Sequence, residues 1–143
     1  MGYRSDVGAV FYVTTPYDLE TKKSLPEAKA KAKALLDLWW QGHMQDCPEG
    51  MKAKFSPVPD GYKFCAEDVK WYDSYPDVMW FTNLMQCFNE ELVDNEELDG
   101  GSGLHRAFAC EFARIGEDLE DNVYEASGYG DCRLSISCAL QFD

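Results

Sequence analysis

Twice along this chain a strand pattern runs into the same kind of helix start, and that repetition limits the fold more than any other feature. Gly2-Tyr3-Arg4 and Gly61-Tyr62-Lys63 each open a stretch that closes on an aromatic pair, Phe11-Tyr12 in the first and Trp71-Tyr72 in the second. Behind each pair come a Ser, a Pro and an acid at matched places: Ser24-Leu25-Pro26-Glu27, then Ser74-Tyr75-Pro76-Asp77. Ser at an N-cap, Pro in the first turn and an acid three residues on together specify a helix start. A diverged repeat and shared capping chemistry account for the echo equally well.

Periodicity fills in the rest. Val7, Ala9, Phe11 and Val13 alternate with shorter or more polar residues, which predicts a strand over 3–14. Ala28, Ala32, Leu35, Leu36 and Trp39 recur at helical spacing. Pro48, Gly50, Pro57 and Pro59 make 45–60 a loop with at most a short strand around 52–55. A second strand follows over 61–72. The next helix carries the stripe Val78, Phe81, Leu84, Met85, Phe88 and Leu92. A strand over 104–115 sets Phe108, Cys110 and Phe112 on one face, and 117–130 reads as a long, part-helical linker. The last strand, 132–142, alternates Leu134, Ile136, Cys138, Leu140 and Phe142 inward. A strand–helix–strand unit used twice predicts one α+β domain over 1–143: a ferredoxin-like antiparallel sheet with two helices on one face, plus an extra strand.

Charge is distributed unevenly. The chain of 143 residues has 26 acids and 13 bases, a net charge of -13. Eight of each fall in residues 1–60, so the remaining 18 acids and five bases place the whole excess in 61–143. Ten of those acids form two knots: Glu90, Glu91, Asp94, Glu96, Glu97 and Asp99, then Glu117, Asp118, Glu120 and Asp121. Carboxylates this close repel one another, so they face water or a positive partner. A direct grip on nucleic-acid phosphates is excluded, because it requires an excess of Lys and Arg. With 45% hydrophobic and 14% aromatic residues, the chain is also too apolar to be an acidic disordered segment.

Motifs for catalysis are scarce. The only histidines, His43 and His105, are isolated, and no nucleophile elbow, zinc helix or phosphate loop is present. The six cysteines lack a CxxC pair, the N-terminus lacks a signal-peptide pattern and no run approaches a membrane span, so the thiols are expected to be reduced in a cytosolic chain. Asn95, Glu97, Asp99 and Gly100 look like the start of a calcium loop, but Arg106 occupies the place of its last acid. Glu111, Glu117, Asp118 and Asp121 are the better candidates for a cation, as a magnesium cluster in a metal-dependent enzyme.

Three segments resemble a family of small tailed-bacteriophage proteins that begin MGYRSDV. They are Met1-Gly2-Tyr3-Arg4-Ser5-Asp6-Val7, Val69-Lys70-Trp71-Tyr72-Asp73-Ser74-Tyr75-Pro76-Asp77-Val78 and Glu111-Phe112-Ala113-Arg114-Ile115-Gly116-Glu117-Asp118, about a fifth of the chain. The resemblance implies a non-structural phage product acting in the cytoplasm of the infected bacterial host. Small phage proteins of this type often disable a host enzyme or defence complex, an anti-CRISPR protein being one such case.

These strands combine into a leading expectation: a non-enzymatic inhibitor without a cofactor, bound to a basic surface of a host protein or ribonucleoprotein complex. The contact residues are the carboxylates of both knots, standing in for phosphates by DNA mimicry, together with Tyr72, Tyr75 and Trp80 as aromatic anchors. On one helix, Glu90, Glu91, Asp94 and Glu97 would fall on adjacent turns. The partner is neither nucleic acid itself nor a membrane. The metal-dependent enzyme and a small regulatory or scaffold protein, dimeric through an exposed edge strand, are the alternatives.

Overall fold

A computed structural model of the chain describes residues 3–16, 26–95, 104–118, 120–128, 130, 133–136 and 140–142. The fold is built on β1 (Ser5–Val13). Its Val7, Ala9, Phe11 and Val13 side chains are fully buried under the helices, and Val10 and Tyr12 are buried on the opposite face. Only a strand inside a sheet covered on both sides can bury consecutive residues in this way. β1 accordingly lies at the centre of a five-stranded sheet of order β2–β3–β1–β4–β5, antiparallel throughout.

Helix α1 (Pro26–Met44) and, later, α3 (Pro76–Phe88) pack on the same face of that sheet. Between them lie a one-turn helix α2 (Glu49–Lys52), edge strand β2 (Phe55–Val58) and β3 (Gly61–Val69). The core is an aromatic stack centred on Phe11, whose ring lies 5.3 Å from Trp40 of α1 and 5.3 Å from Phe88 of α3. Trp40 in turn lies flat on Tyr62 of β3 at 4.4 Å. Side chains of this size supply most of the burial a chain of this length needs.

Several expectations are corrected. Ser74 does not cap α3: Tyr75 is the N-cap and makes no side-chain cap, while Pro76 opens the helix as expected. The loop over 45–60 contains α2, and its strand lies at Phe55–Val58, later than expected; Pro57 fits there because β2 is an edge. β3 stops at Val69 instead of 72, because Val69 pairs with Ser5, the first residue of β1; just before that pair a bulge opposite Asp6 shifts the register. In it Asp68 adopts φ 53°, and its N–H donates to Asp6 Oδ1 at 2.9 Å. A bulge bends its strand, and here the next turn places Trp71 5.4 Å from Phe81.

After α3 the helix widens into a π-helical turn, Asn89–Val93, and a short 3-10 turn, Leu104–Ala107, leads into β4 (Phe108–Gly116). The stretch read as a part-helical linker instead contains β5 (Asn122–Gly128), paired along β4. The single last strand is also corrected: β6 (Leu134–Ile136) and β7 (Leu140–Phe142) form a two-stranded sheet of their own. Cys138, Ser24, Glu96, Glu97 and Asp99 lie outside the described residues. Leu134 packs on Val10, Tyr12, Ala109 and Ala113, so this hairpin covers the face of the sheet away from the helices.

The β2–β3 connection has one position that admits only glycine. A Cβ on Gly61 would lie 1.9 Å from the Phe11 carbonyl oxygen, a backbone atom of the central strand that cannot swing away. Gly61→Ala is expected to lower stability by about 1–3 kcal/mol, the range for forced overpacking. Urea unfolding followed by tryptophan fluorescence reads the loss, and a midpoint equal to that of the wild type would show that the turn has slack.

Candidate functional site

Beneath the hairpin sits a carboxylate that the sequence hides inside an apolar strand. Glu111 of β4 is 2% exposed. Its Oε2 accepts from the Tyr12 hydroxyl and from the Arg133 N–H at 3.0 Å; its Oε1 accepts from the Tyr124 hydroxyl at 2.9 Å and the Leu134 N–H at 3.1 Å. Four donors fill the four acceptor sites of the group, which is what a buried charge requires. Arg133 closes the assembly from outside, 4.3 Å over the Tyr12 ring and paired to Asp60 at 2.8 Å. Glu111 therefore holds the hairpin to the sheet and does not join Glu117, Asp118 and Asp121 at the sheet end. The four-carboxylate magnesium cluster is not assembled, and among the described residues no group of three or more His, Cys, Asp or Glu side chains could hold a metal ion.

On the helical face, α3 covers β4 but leaves β5 largely open, and a cleft of about 550 Å³ runs between them. Trp71, Met85, Phe112 and Val123 give it an apolar lining. Its polar end is assembled from Arg114 of β4 and from the segments just before β1, just after β3 and between β4 and β5. Arg114, the last inward residue of the β4 stripe, forks onto Asp121, Nη2 to Oδ1 at 2.8 Å and Nη1 to Oδ2 at 3.1 Å. Tyr3 donates to Asp121 Oδ2 at 2.6 Å and accepts from the Asp118 N–H at 3.1 Å, while its own N–H donates to the Tyr72 oxygen at 2.6 Å. The Arg114 hydrogen bonds, then that of Tyr3, hold the Asp121 carboxyl below the usual aspartate range. Asp121 in return pushes the Arg114 guanidinium up.

The second knot sits at this end of β5. Glu117, Asp118 and Glu120 are exposed, and Glu117 accepts from the Arg4 N–H at 2.7 Å. Tyr75, 40% exposed, meets Tyr72 edge-on at 5.1 Å. Trp80 does not join them; it lies against Phe55 at the opposite edge of the sheet. At the other end of β5, the Ser127 hydroxyl donates to Asn89 Oδ1 at 2.6 Å and ties the strand to the π-turn that carries the first knot. There Leu92 and Val93 turn inward, and Glu90, Glu91 and Asp94 face solvent. The helix expected to carry Glu90, Glu91, Asp94 and Glu97 on adjacent turns is α-helical only to Phe88; Glu90 and Glu91 ride on the π-turn, Asp94 follows it and Glu97 lies outside the described residues. Glu91 lies 3.6 Å from His43 and Glu90 accepts from Gln86. The seven residues of β5, at about 3.3 Å each, set the two acidic ends about 20 Å apart.

No family model, curated protein or solved structure matches this chain.

Glu111→Leu strands four donors, each worth about 1–3 kcal/mol when left unmet, so a loss of about 3 kcal/mol or more is expected in chemical unfolding; a loss under about 1 kcal/mol would mean that the hairpin does not depend on it. Asp60, like Asp121, is held below its ordinary value: partial burial opposes ionisation, but hydrogen bonds from Lys29 and Arg133 outweigh it. Carboxyls depressed in the folded state stabilise above the unfolded aspartate value of about 4, and that contribution is lost as pH falls through their folded values. The melting temperature should therefore be level near neutrality and fall below about pH 4. In Asp60→Asn the acid-side fall should be shallower, and an identical profile would remove Asp60 from this account.

Proposed function

We propose that this chain is a non-enzymatic phage-encoded inhibitor, acting in the cytoplasm of the infected bacterium, that covers a basic surface of a host defence or nucleic-acid-processing complex. The observation that carries the reading is the row of exposed carboxylates along β5: Glu90, Glu91 and Asp94 at one end, Glu125 in the middle, and Glu117, Asp118 and Glu120 at the other. Over the same 20 Å or so duplex DNA presents about a dozen phosphates. Seven carboxylates are a diluted version of that line, so charge would steer the docking while shape and aromatic contacts at Tyr72 and Tyr75 hold it. The segments similar to small tailed-phage proteins support the source and the anti-defence role.

The frame that presents this surface we assign to the ferredoxin-like type. The order β4–β1–β3–β2, with α1 following β1 and α3 following β3, supports that assignment, with β5 added beside β4.

Expression of the chain in a host carrying the targeted defence should restore phage plating. Association of the purified chain with its target should slow about tenfold or more between 0.05 and 0.5 M NaCl, as screening removes steering. The combined variant Glu90→Lys, Glu91→Lys, Asp118→Lys and Glu120→Lys alters only exposed side chains and should abolish inhibition without lowering the unfolding midpoint. Full inhibition by that variant would refute the proposal.

A further inference from the structure

We propose that the cleft between α3 and β5 is a receptor for an arginine side chain that the partner presents on a short basic segment. The inference rests on the reading above and names the group on the partner that the middle of the surface takes.

The ligand class follows from the charges and faces of the cleft. Three carboxylates, Asp73, Asp121 and Glu125, line it against one cation, Arg114. Because Arg114 is already forked onto Asp121, no free positive group remains to receive an anion. Asp73 and Glu125 are exposed, and among the described residues neither makes a hydrogen bond or an ion pair, Asp73 feeling Arg114 only at longer range. A neutral apolar ligand would strip water from both without replacing it, which is costly. A metal ion is equally ill-suited, since the walls between the carboxylates are Trp71, Met85, Phe112 and Val123 and the volume is about 550 Å³. That volume falls in the range of organic ligands and peptide segments.

An organic cation satisfies both demands. It neutralises Asp73 and Glu125 while its flat face lies on Trp71 or a tyrosine ring. Guanidinium is favoured over ammonium, because it is planar, is weakly hydrated and presents its donors in a fork that matches a carboxylate. The cleft also continues past Met85 and Phe112 into a recess of about 140 Å³ near Asn89 and Ser127. That extension gives the residues flanking the arginine a place along β5.

The test titrates the ¹⁵N-labelled chain with acetyl-Gly-Arg-Arg-Gly-amide and with its lysine and citrulline counterparts, following the Trp71 indole and the Thr82 and Glu125 amides. Saturable shifts at these three positions are expected with the arginine peptide. The lysine peptide should bind more weakly, and the citrulline peptide about tenfold or more weakly. Asp73→Asn and Glu125→Gln, each near-isosteric and exposed, should each weaken the arginine peptide about tenfold while the rest of the spectrum stays in place. The assignment is overturned by an absence of shifts at the cleft, by equal binding of the citrulline or lysine peptide, or by unchanged affinity in both variants. Loss of the cleft assignment with salt-sensitive target docking intact would leave the broader reading standing. Peptide binding by a chain with no basic target would remove the broader reading alone.

Discussion

Burial of β1 on both faces is the constraint on which everything else depends. On one side Phe11 is the hub that Trp40, Phe81 and Phe88 meet, so both long helices are fixed relative to the same strand. On the other side the next residue, Tyr12, gives its hydroxyl to Glu111, which in turn holds the N–H groups of Arg133 and Leu134. Two adjacent residues thus fasten the helical layer and the β6–β7 hairpin to one strand. The two fastenings differ in kind. The aromatic side is adaptable and tolerates small shifts, whereas a buried carboxylate with four donors has one arrangement that satisfies it.

How far the fold was legible depended on whether an element has at least one dry face. β1, β4 and α3 each do, and Val7, Ala9, Phe11 and Val13, the Phe108–Cys110–Phe112 stripe and Val78, Phe81, Leu84 and Phe88 announce them by spacing alone. β5 does not. As an edge strand, half-covered on the helical face, it places Glu125 and Tyr124 where a core strand would have valines, so it reads as a linker. The bulge at Asp68 and the π-turn after Phe88 left no periodic trace. Both insert a local departure that tertiary packing stabilises, through Asp6 in one case and the inward turn of Leu92 and Val93 in the other.

The candidate site was legible only in part. The acidic ends came from counting charge by segment, which needs no structure. The cleft between them draws Tyr3, Tyr72 and the Arg114–Asp121 pair from three separated stretches, and no spacing rule connects stretches so far apart. One signal was present: Arg114 continues the inward parity of Phe108, Cys110 and Phe112, and a cation on that stripe requires a partner where the apolar layer ends. Glu111 broke the opposite parity in the same strand. Sequence distance groups it with Glu117 and Asp118, but spatial distance separates them. Successive strand residues point to opposite faces, and this odd-numbered residue belongs with Tyr12 behind the sheet.

That internal use of charge sharpens the meaning of the surface. Of the five bases in the acidic part of the chain, Arg114 is committed to Asp121 and Arg133 to Asp60 and the Tyr12 ring. The most favourably placed cations are thus consumed in holding the strands and hairpin together. Asp60 and Asp121, paired with these cations, and Glu111, held by hydroxyl and N–H donors, are the carboxylates whose loss should destabilise the fold. Glu90, Glu91, Asp118, Glu120 and Glu125 make no ion pair with a lysine or arginine among the described residues. Their mutual repulsion is a standing cost of the free protein, offset only by water and salt. A basic partner relieves that cost on contact, so the same arrangement that weakens the isolated fold strengthens the complex.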